Sequence, residues 1–352
     1  MTRKTIITIL FLSMIAGALM IGPLNLFNLF NPVIAQDTAN AIQDAGLIDL
    51  DVVVKDAEGK RVPGLKKEDF EIYEDGELQE IGIFKPINQP LRLVLLLDTS
   101  TSMGYIFHGI RDESVKFVGG LNQLDEIIVA SFSRNLYCPA DWGGKARAEN
   151  DIIDMRSDSE LRVKPPQMPS PSPPRRLPSP SIGSGRSDSD TNLYGALHDI
   201  FERFGGRGGN EVVLLISDGK DSINGTEAKQ RPVKEPKQIV QKAQESWVQI
   251  NTACFKSEQN VSLIGIGKAK GFGSNCKFLS DIAVATGGRA FEFETKTDLN
   301  LILRKTLEEW RSQYSLAYSS SHEGKVGFHK IRAVVKRPDL VVRTREGYLV
   351  SK

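Results

Sequence analysis

Near both ends of the chain, apolar and polar residues alternate with a period of two, which is typical of strands with one buried face. The segment 69–84 reads as a hairpin, because its Asp75-Gly76 pair supplies the positive φ angles of a tight primed turn. The first strand has four aliphatic residues on one face, Ile48, Leu50, Val52 and Val54. After Gln313 the same period returns, over residues 314–318, 331–335, 340–343 and 348–350.

The pattern changes between residues 91 and 312, where apolar runs alternate with helical spacing. Residues 91–97 form an apolar run that ends in Asp98, as expected of a central parallel strand buried on both faces. Further strands are predicted at 127–132, 212–216, 262–265 and 290–293, and helices at 107–121, 193–204, 238–247, 277–285 and 299–310. This alternation predicts an α/β domain with a doubly wound, mainly parallel, Rossmann-like sheet.

The two terminal β segments, residues 47–87 and 313–352, are each too short to bury a sheet face alone. The economical architecture is a small β-sandwich formed by both segments, with the α/β domain of residues 91–312 inserted between them. The two ends of the inserted domain should then lie close together.

The first 35 residues read as an export signal. Arg3 and Lys4 precede an apolar run over residues 5–22, and a small-residue cleavage site lies near Ala35. An uncleaved membrane anchor is the alternative, because an apolar run of this length is just enough to span a bilayer. Either way, the bulk of the chain is expected outside the cytoplasm, in the periplasm, at the cell surface or secreted.

Charge and cysteine content narrow the functional classes. With 45 basic and 44 acidic residues, the formal charge of +1 argues against a dedicated nucleic-acid binder. Cys138, Cys254 and Cys276 show no CxxC spacing, which argues against a cysteine zinc site and allows at most one disulfide. One interpretation pairs Cys254 with Cys276, since both lie in one segment between apolar stretches; the other leaves all the thiols free.

A stretch rich in proline and serine, residues 160–188, interrupts the α/β domain. Its composition cannot form a helix or a central strand, so it is predicted to be an exposed loop. It is either a tolerated insertion without a role or, if Thr191 just after it is a metal ligand, a gate beside that metal site.

Oxygen-bearing side chains follow two of the predicted strands. Asp98 and Asp218 each terminate a buried strand, and the carboxyl ends of parallel strands form the ligand-binding edge of an open α/β sheet. Ser100 and Ser102 alternate with Asp98 along a turn, and Thr191 begins the next long helix. A donor set of oxygens, without thiolate or imidazole, favours a hard divalent cation: Mg²⁺ first, with Ca²⁺ or Mn²⁺ as alternatives.

With this set of residues the chain resembles the von Willebrand factor A family, whose pattern is Asp-x-Ser-x-Ser after the first strand, a Thr from a second loop and an Asp from a third. The residues that match are Asp98, Ser100, Ser102, Thr191 and Asp218. Segments 64–70 and 345–348 are similar to bacterial members typical of acidobacteria. The resemblance implies a metal-ion-dependent adhesion site in which the hydroxyls coordinate directly and the carboxylates act through water or hydrogen bonds.

Neutral hydroxyl ligands leave much of the metal's charge uncompensated, so an Asp or Glu of a partner protein would be a strong further ligand. We therefore expect an exported binding protein whose partner contacts a rim formed by residues 99–105, 187–193 and 218–226. The alternative is a structural or assembly subunit of an envelope complex, in which the metal only stabilises the loops.

Other interpretations of these residues remain open at this stage. Asp98 and Ser100 could merely cap the following helix, with Asp218-Gly219 as an ordinary turn, or the site could hold no metal in the cell. An enzyme is not expected: the histidines are scattered, no GxSxG motif is present, and an aspartyl phosphotransferase would want a carboxylate where the chain has Ser100. The glycine-rich segment 265–273 lacks the GK[ST] ending of a phosphate loop.

Overall fold

The computed structural model describes residues 47–85, 90–158, 191–205, 211–223, 235–256 and 274–351. The predicted signal segment, the Pro/Ser-rich loop 160–188, the predicted strand 262–265 and the glycine-rich segment 265–273 lie outside these residues. None of the helices within the described ranges has the length and apolar character needed to cross a membrane.

Strands and helices follow the predicted β–α/β–β order along the chain. The strands are β1 (Leu47–Lys55), β2 (Phe70–Glu74), β3 (Glu77–Gln79), β4 (Ile81–Lys85), β5 (Arg92–Asp98), β6 (Glu126–Phe132), β7 (Leu136–Tyr137), β8 (Glu211–Ser217), β9 (Gln249–Phe255), β10 (Ala290–Phe293), β11 (Gln313–Ser319), β12 (Gly327–Val335), β13 (Val341–Arg343) and β14 (Gly347–Val350). The helices are α1 (Gly104–Gly119), α2 (Lys145–Asp154), α3 (Leu193–Phe204), α4 (Pro236–Glu245), α5 (Cys276–Ala285) and α6 (Lys296–Trp310).

The middle of the chain forms a six-stranded sheet in the order β10-β9-β8-β5-β6-β7, parallel except for the short edge strand β7. From β5 the chain first adds β6 on one side and later β8 and β9 on the other, so the strand order reverses at β5. The crevice at such a switch point is where open α/β sheets bind ligands.

Helices cover both faces of this sheet, which confirms the predicted doubly wound architecture. On one face, Leu93 and Leu95 of β5 share a core with Trp310 of α6 and residues of α1. On the other face, Val94 and Leu96 share a core with residues of α3, α4 and α5. The continuous apolar run of β5 is thus explained, because successive side chains enter two different cores.

The terminal segments form two four-stranded sheets, β13-β1-β11-β4 and β14-β12-β2-β3. Each sheet mixes strands from both ends of the chain: β1 pairs antiparallel with β11, and β2 with β12. Their buried faces share one core, which confirms the predicted small β-sandwich. Lys85, just before the α/β domain, lies opposite Ser315, just after it, so the ends of the insertion are neighbours.

The structure differs from the predicted elements in four places. The fourth long parallel strand is β9, where the sequence pattern predicted none; its polar residues Gln249 and Asn251 interrupt the apolar run although both are buried. The helix predicted to reach Trp247 ends at Glu245, because the backbone at Ser246 is extended and Val248 donates to the Ser246 hydroxyl. Helix α2 and the short strand β7 were not predicted either.

A buried carboxylate joins the inserted domain to the sandwich. Glu309 of α6 accepts from Lys55 of β1 at 2.8 Å and from Arg289 at 3.0 Å, and it also pairs with Arg343 of β13. Burial alone would raise the pKa of Glu309, but the charges of Arg343 and Lys55 hold it below its usual range. The ion pairs therefore keep Glu309 charged at the boundary between the two parts.

A second contact across this boundary is made by Arg345. Its guanidinium lies 4.7 Å from the centre of the Trp247 ring and donates to the carbonyl of Ser246 at 2.9 Å. Trp247 also packs against Tyr348 of β14, with 5.2 Å between the ring centres.

Candidate metal site at the edge of the central sheet

Asp98 and Asp218 lie at the carboxyl ends of two adjacent strands. Leu97 of β5 is in register with Ile216 of β8, so Asp98 emerges beside Ser217 at the switch point and Asp218 follows directly after Ser217. Asp98 and Asp218 are each 1% exposed, which places two carboxylates in a poorly solvated position. Burial, followed by the negative charge of Asp218, raises the pKa of Asp98 to about 7.

The turn after β5 is organised around Asp98. One carboxylate oxygen of Asp98 accepts from the backbone N–H of Ser100 at 2.9 Å, and the other accepts from the hydroxyl of Ser217 at 2.6 Å. The hydroxyl oxygens of Ser100 and Ser102 are 3.1 Å apart. Asp98, Ser100 and Ser102 thus converge as the sequence spacing predicts, with Ser102 exposed to solvent.

Asp98 and Ser100 make no side-chain capping bond to the following helix. Ser100 is the N-cap residue of a short 3-10 turn, Thr101–Met103, that leads into α1, but its side chain makes no capping bond there, and the N-cap of α1 itself is Met103. Asp98 instead accepts within the turn and from the neighbouring strand, so its carboxylate belongs to the sheet edge rather than to the helix.

Asp218 begins a tight turn that depends on glycine. Gly219 has φ +76°, and a Cβ there would lie 2.5 Å from the carbonyl oxygen of Asn275. The carbonyl of Asp218 accepts from Asn275 at 2.8 Å, and its carboxylate pairs with Lys220 at 2.6 Å. The close approach of this turn to Asn275 therefore excludes a larger residue and fixes the position of Asp218.

Thr191 joins this group through the Asp218 loop. Its backbone N–H donates to the hydroxyl of Ser222 at 2.9 Å, and its carbonyl accepts from the N–H of Ser222 at 2.8 Å. Asp221 accepts from the N–H of Tyr194 at 3.0 Å, which ties the start of α3 to the same loop. Thr191 is 2% exposed, so its side chain is enclosed by these connections.

Two of these connecting residues were not predicted. Ser217, the last residue of β8, links Asp98 at the end of β5 to the turn that follows β8. Its hydroxyl donates to Asp98 and accepts from the N–H of Gly219 at 2.9 Å. Ser222 links the Thr191 loop to the Asp218 loop. Both are hydroxyl residues close to Asp218 in sequence, which is the signal that could have found them.

The residues present fit a divalent cation. The side chains offer only oxygen donors, and two nearby carboxylates repel each other in a site that water scarcely reaches, a repulsion that a cation would relieve. Within the described residues, the hydroxyl of Thr101 in the same loop is buried without a hydrogen-bond partner. The donor chemistry matches Mg²⁺, Ca²⁺ or Mn²⁺ and does not choose among them.

No family model matches this chain, and no curated protein matches it. Similar solved structures include proximal thread matrix protein 1 from the mussel byssus, at 15% identity and a TM-score of 0.41, over 64% of this chain and 49% of that one. This chain thus spans about half the length of the mussel protein. Another structure of that protein has a zinc-occupied metal-ion-dependent adhesion site.

Two bacterial structures are also similar. An aerotolerance-related membrane protein from Bacteroides fragilis has 13% identity and a TM-score of 0.39, over 62% of this chain and 98% of that one. A von Willebrand factor type A protein from Catenulispora acidiphila has 11% identity and a TM-score of 0.42, over 86% and 74%. The similar structures thus include a protein named for the von Willebrand factor type A domain.

Proposed function

We propose that this chain binds a protein partner through a divalent cation held by Asp98, Ser100, Ser102, Thr191 and Asp218, with Mg²⁺ as the expected metal. The observation that carries the proposal is the convergence of buried carboxylates and neutral hydroxyls at the switch point of the sheet, with Ser102 facing solvent. When bound, the cation supplies a Lewis-acidic centre for an anionic ligand. No chemical reaction is proposed.

The protein's own residues explain why a partner carboxylate would be favoured. Asp98 accepts from Ser100 and Ser217, so part of its charge is already compensated by hydrogen bonds. Asp218 is likewise paired with Lys220. The remaining donors are hydroxyls without charge, so the cation would keep a net positive charge toward solvent, which an external Asp or Glu would neutralise.

The first experiment measures metal binding. Mg²⁺, Mn²⁺, Ca²⁺ and Zn²⁺ are titrated calorimetrically into the chelator-treated full chain and into the variants Asp98→Ala and Asp112→Ala. Asp112 is an exposed carboxylate on α1 and serves as the matched control. We expect Asp98→Ala to lose the Mg²⁺ isotherm while Asp112→Ala retains it. Equal Mg²⁺ binding by both variants would contradict the assigned site.

The second experiment tests recognition of a carboxylate. Partner capture from an envelope extract is compared with Mg²⁺, with EDTA and with Asp98→Ala, and competed with Asp- or Glu-containing peptides against their Asn or Gln counterparts. Adhesion predicts capture that needs Mg²⁺ and Asp98 and that only the acidic peptides inhibit. Capture that survives EDTA and Asp98→Ala would favour the assembly role instead.

A structural or assembly role is the second candidate. It is supported by the burial of Asp98, Ser100, Thr191 and Asp218, since a cation among them would hold three loops together without an external ligand. Both roles predict that Mg²⁺ raises the melting temperature of the protein. In the structural role, however, acidic peptides should not compete for partner binding.

We also propose that the chain is exported. The disulfide between Cys254 and Cys276, one of the two interpretations of the cysteines, supports this location because disulfides persist in oxidising compartments. Sequencing the N-terminus of the protein from its native host, together with fractionation of the cells, decides between a cleaved signal and a retained anchor. Recovery of the intact chain from the cytoplasm would contradict export.

A further inference from the structure

A group of histidine and carboxylate side chains lies in the sandwich, on different strands from the Asp98 site. It consists of Glu74, the last residue of β2; Asp75, in the turn to β3; His329 of β12; and His322, in the connection between β11 and β12. One ligand atom from each residue lies within 4.8 Å of all the others. The four scattered histidines of the sequence thus include two that the fold brings together.

The strand pairing holds these residues in place. Glu74 is in register with Ile331 of β12, which brings the end of β2 beside His329. Asp75 is fixed twice to Lys330, since its backbone N–H donates to that residue's carbonyl at 2.9 Å and one of its carboxylate oxygens accepts from that residue's N–H at 2.8 Å. The second carboxylate oxygen of Asp75 is left to point toward the histidines.

The distances between these atoms suit a small tetrahedral site. Nδ1 of His329 lies 2.8 Å from Oδ2 of Asp75 and 3.8 Å from Oε1 of Glu74. Nδ1 of His322 lies 3.8 Å from Oε1 of Glu74 and 3.9 Å from Oδ2 of Asp75. Metal–ligand bonds of about 2.0–2.2 Å in a tetrahedron separate the ligand atoms by about 3.4 Å, which lies within this spread.

The surrounding contacts match those that orient metal ligands. Nε2 of His329 lies 2.9 Å from the carbonyl oxygen of Lys325, the usual partner for the outer nitrogen of a ligating imidazole. Oε1 of Glu74 accepts from the hydroxyls of Ser320 and Tyr348, each at 2.8 Å. Ligand orientation is therefore fixed before any ion arrives.

An independent observation points to a missing partner. Glu74 is fully buried at 0% exposure beside the Tyr318 hydroxyl, and its Oε2 makes no hydrogen bond of ordinary geometry within the described residues. A buried carboxylate is costly without a compensating positive charge, and a cation bound at Oε1, the oxygen that faces the histidines, would supply that charge. Asp75 is exposed and His322 half-buried, so an ion can reach the group from solvent.

We propose that Glu74, Asp75, His322 and His329 form a closed structural site for a first-row transition cation, with Zn²⁺ as the expected metal. Two imidazole nitrogens with two carboxylate oxygens suit Zn²⁺, whereas the oxygen-only Asp98 site suits Mg²⁺. The bound ion ties the β11–β12 connection to the β2–β3 turn and stiffens one end of the sandwich. The two sites are separate in residues and in metal preference.

The test uses the chelator-treated full chain in excess Mg²⁺, with the Asp98→Ala variant as background so that the sheet-edge site does not contribute. Zn²⁺ is titrated calorimetrically, and Co²⁺ replaces it to read tetrahedral coordination from its visible spectrum. The ligand variants are Asp75→Asn, at an exposed position, and His322→Ala, at a half-buried one. The matched control is His198→Ala, which removes a histidine of α3 whose Nδ1 lies 3.2 Å from a carboxylate oxygen of Asp199.

We expect one Zn²⁺ to bind in the Asp98→Ala background and in His198→Ala, and affinity to fall at least about tenfold in His322→Ala and Asp75→Asn. Zn²⁺ should raise the melting temperature of the control but not of the ligand variants. Absence of Zn²⁺ binding, or equal affinity in His322→Ala and His198→Ala, would overturn the proposal. Neither result bears on Mg²⁺ binding at Asp98, which is measured separately.

Discussion

Replacing Glu309 with glutamine should weaken the connection between the inserted domain and the sandwich. Glu309 is 6% exposed and is the shared anion of Lys55, Arg289 and Arg343, whose side chains are 27%, 40% and 30% exposed. Removing one partner of a buried ion pair costs about 3–5 kcal/mol. Because water reaches all three cations in part, we expect a cost below that range, about 2–3 kcal/mol.

Urea unfolding at pH 7 measures this cost. Trp310 fluorescence, isolated by Trp142→Phe and Trp247→Phe in every variant, reports on the α/β core, and far-ultraviolet circular dichroism reports on the whole chain. The control is Glu308→Gln, at an exposed neighbouring position on α6. At a slope of about 2–3 kcal/mol per M of urea, the loss in Glu309→Gln should lower the unfolding midpoint by about 1 M. In Glu308→Gln the free energy of unfolding should change by less than about 0.5 kcal/mol, so its midpoint should stay close to that of the parent. The two signals should separate in Glu309→Gln if the domain and the sandwich lose their coupling.

The pH dependence supplies a second check. The pKa of Glu309 lies below its usual value, so its charge stabilises the fold above pH 4.5 and this contribution is lost as the pH falls through the folded-state pKa. The difference between the parent and Glu309→Gln should therefore shrink in acid. If Glu309→Gln is as stable as Glu308→Gln at pH 7, or if its deficit does not change in acid, the reasoning about this network is refuted.

Three further outcomes are expected. Burial and the nearby charge of Asp49 raise the pKa of Asp51 to about 7. The stability that neutral Asp51 contributes is therefore full below pH 3.8 and is lost as the pH rises to 7. In thermal denaturation, Asp51→Asn should be more stable than the parent by up to about 4 kcal/mol at pH 8 and equally stable at pH 3.5. Replacing Cys254 and Cys276 together with serine should cost about 3 kcal/mol in urea, and thiol titration of the unreduced, unfolded parent should find one free cysteine; finding three would disprove the disulfide. Gly219→Ala should cost about 2 kcal/mol and weaken Mg²⁺ binding, whereas Gly59→Ala, with a similar positive φ and no close neighbour, should cost about 1 kcal/mol and leave Mg²⁺ binding unchanged.

The parts of the fold that the sequence predicted are those with local patterns. The continuous apolar run of β5 reflects burial on both faces of the strand, and the period-two alternation of β1 reflects burial on one face. Both patterns lie within a single short segment, so the sequence alone predicts them. Strand β9 was missed because its buried polar residues bond to partners that are distant in sequence: Oε1 of Gln249 accepts from Trp310 at 3.2 Å, and Oδ1 of Asn251 accepts from the backbone N–H of Arg289 at 2.8 Å. These bonds form only once the chain is folded.

The same limit applies to the candidate sites. Asp98, Ser100 and Ser102 lie within five consecutive positions, so their convergence could be predicted from spacing. Ser217 acts by linking two strands, and that role depends on the order of strands in the sheet. Glu74 and His329 are even further from local reasoning, since only the pairing of β2 with β12 brings them together.

The interleaving of the two chain ends has a consequence for biosynthesis. Leu47 of β1 pairs with Ser319 of β11. Strand β1 therefore cannot form this pairing until the whole inserted domain and β11 have been synthesised. Until then β1 and β4 present open edges, which are prone to pair with other chains. Folding of the inserted domain would bring its ends together and shorten the search for β11, because a compact domain replaces a long flexible loop. Assembly from the inside outward is therefore the productive order, and mutations that slow the α/β domain should show themselves first as aggregation of the sandwich.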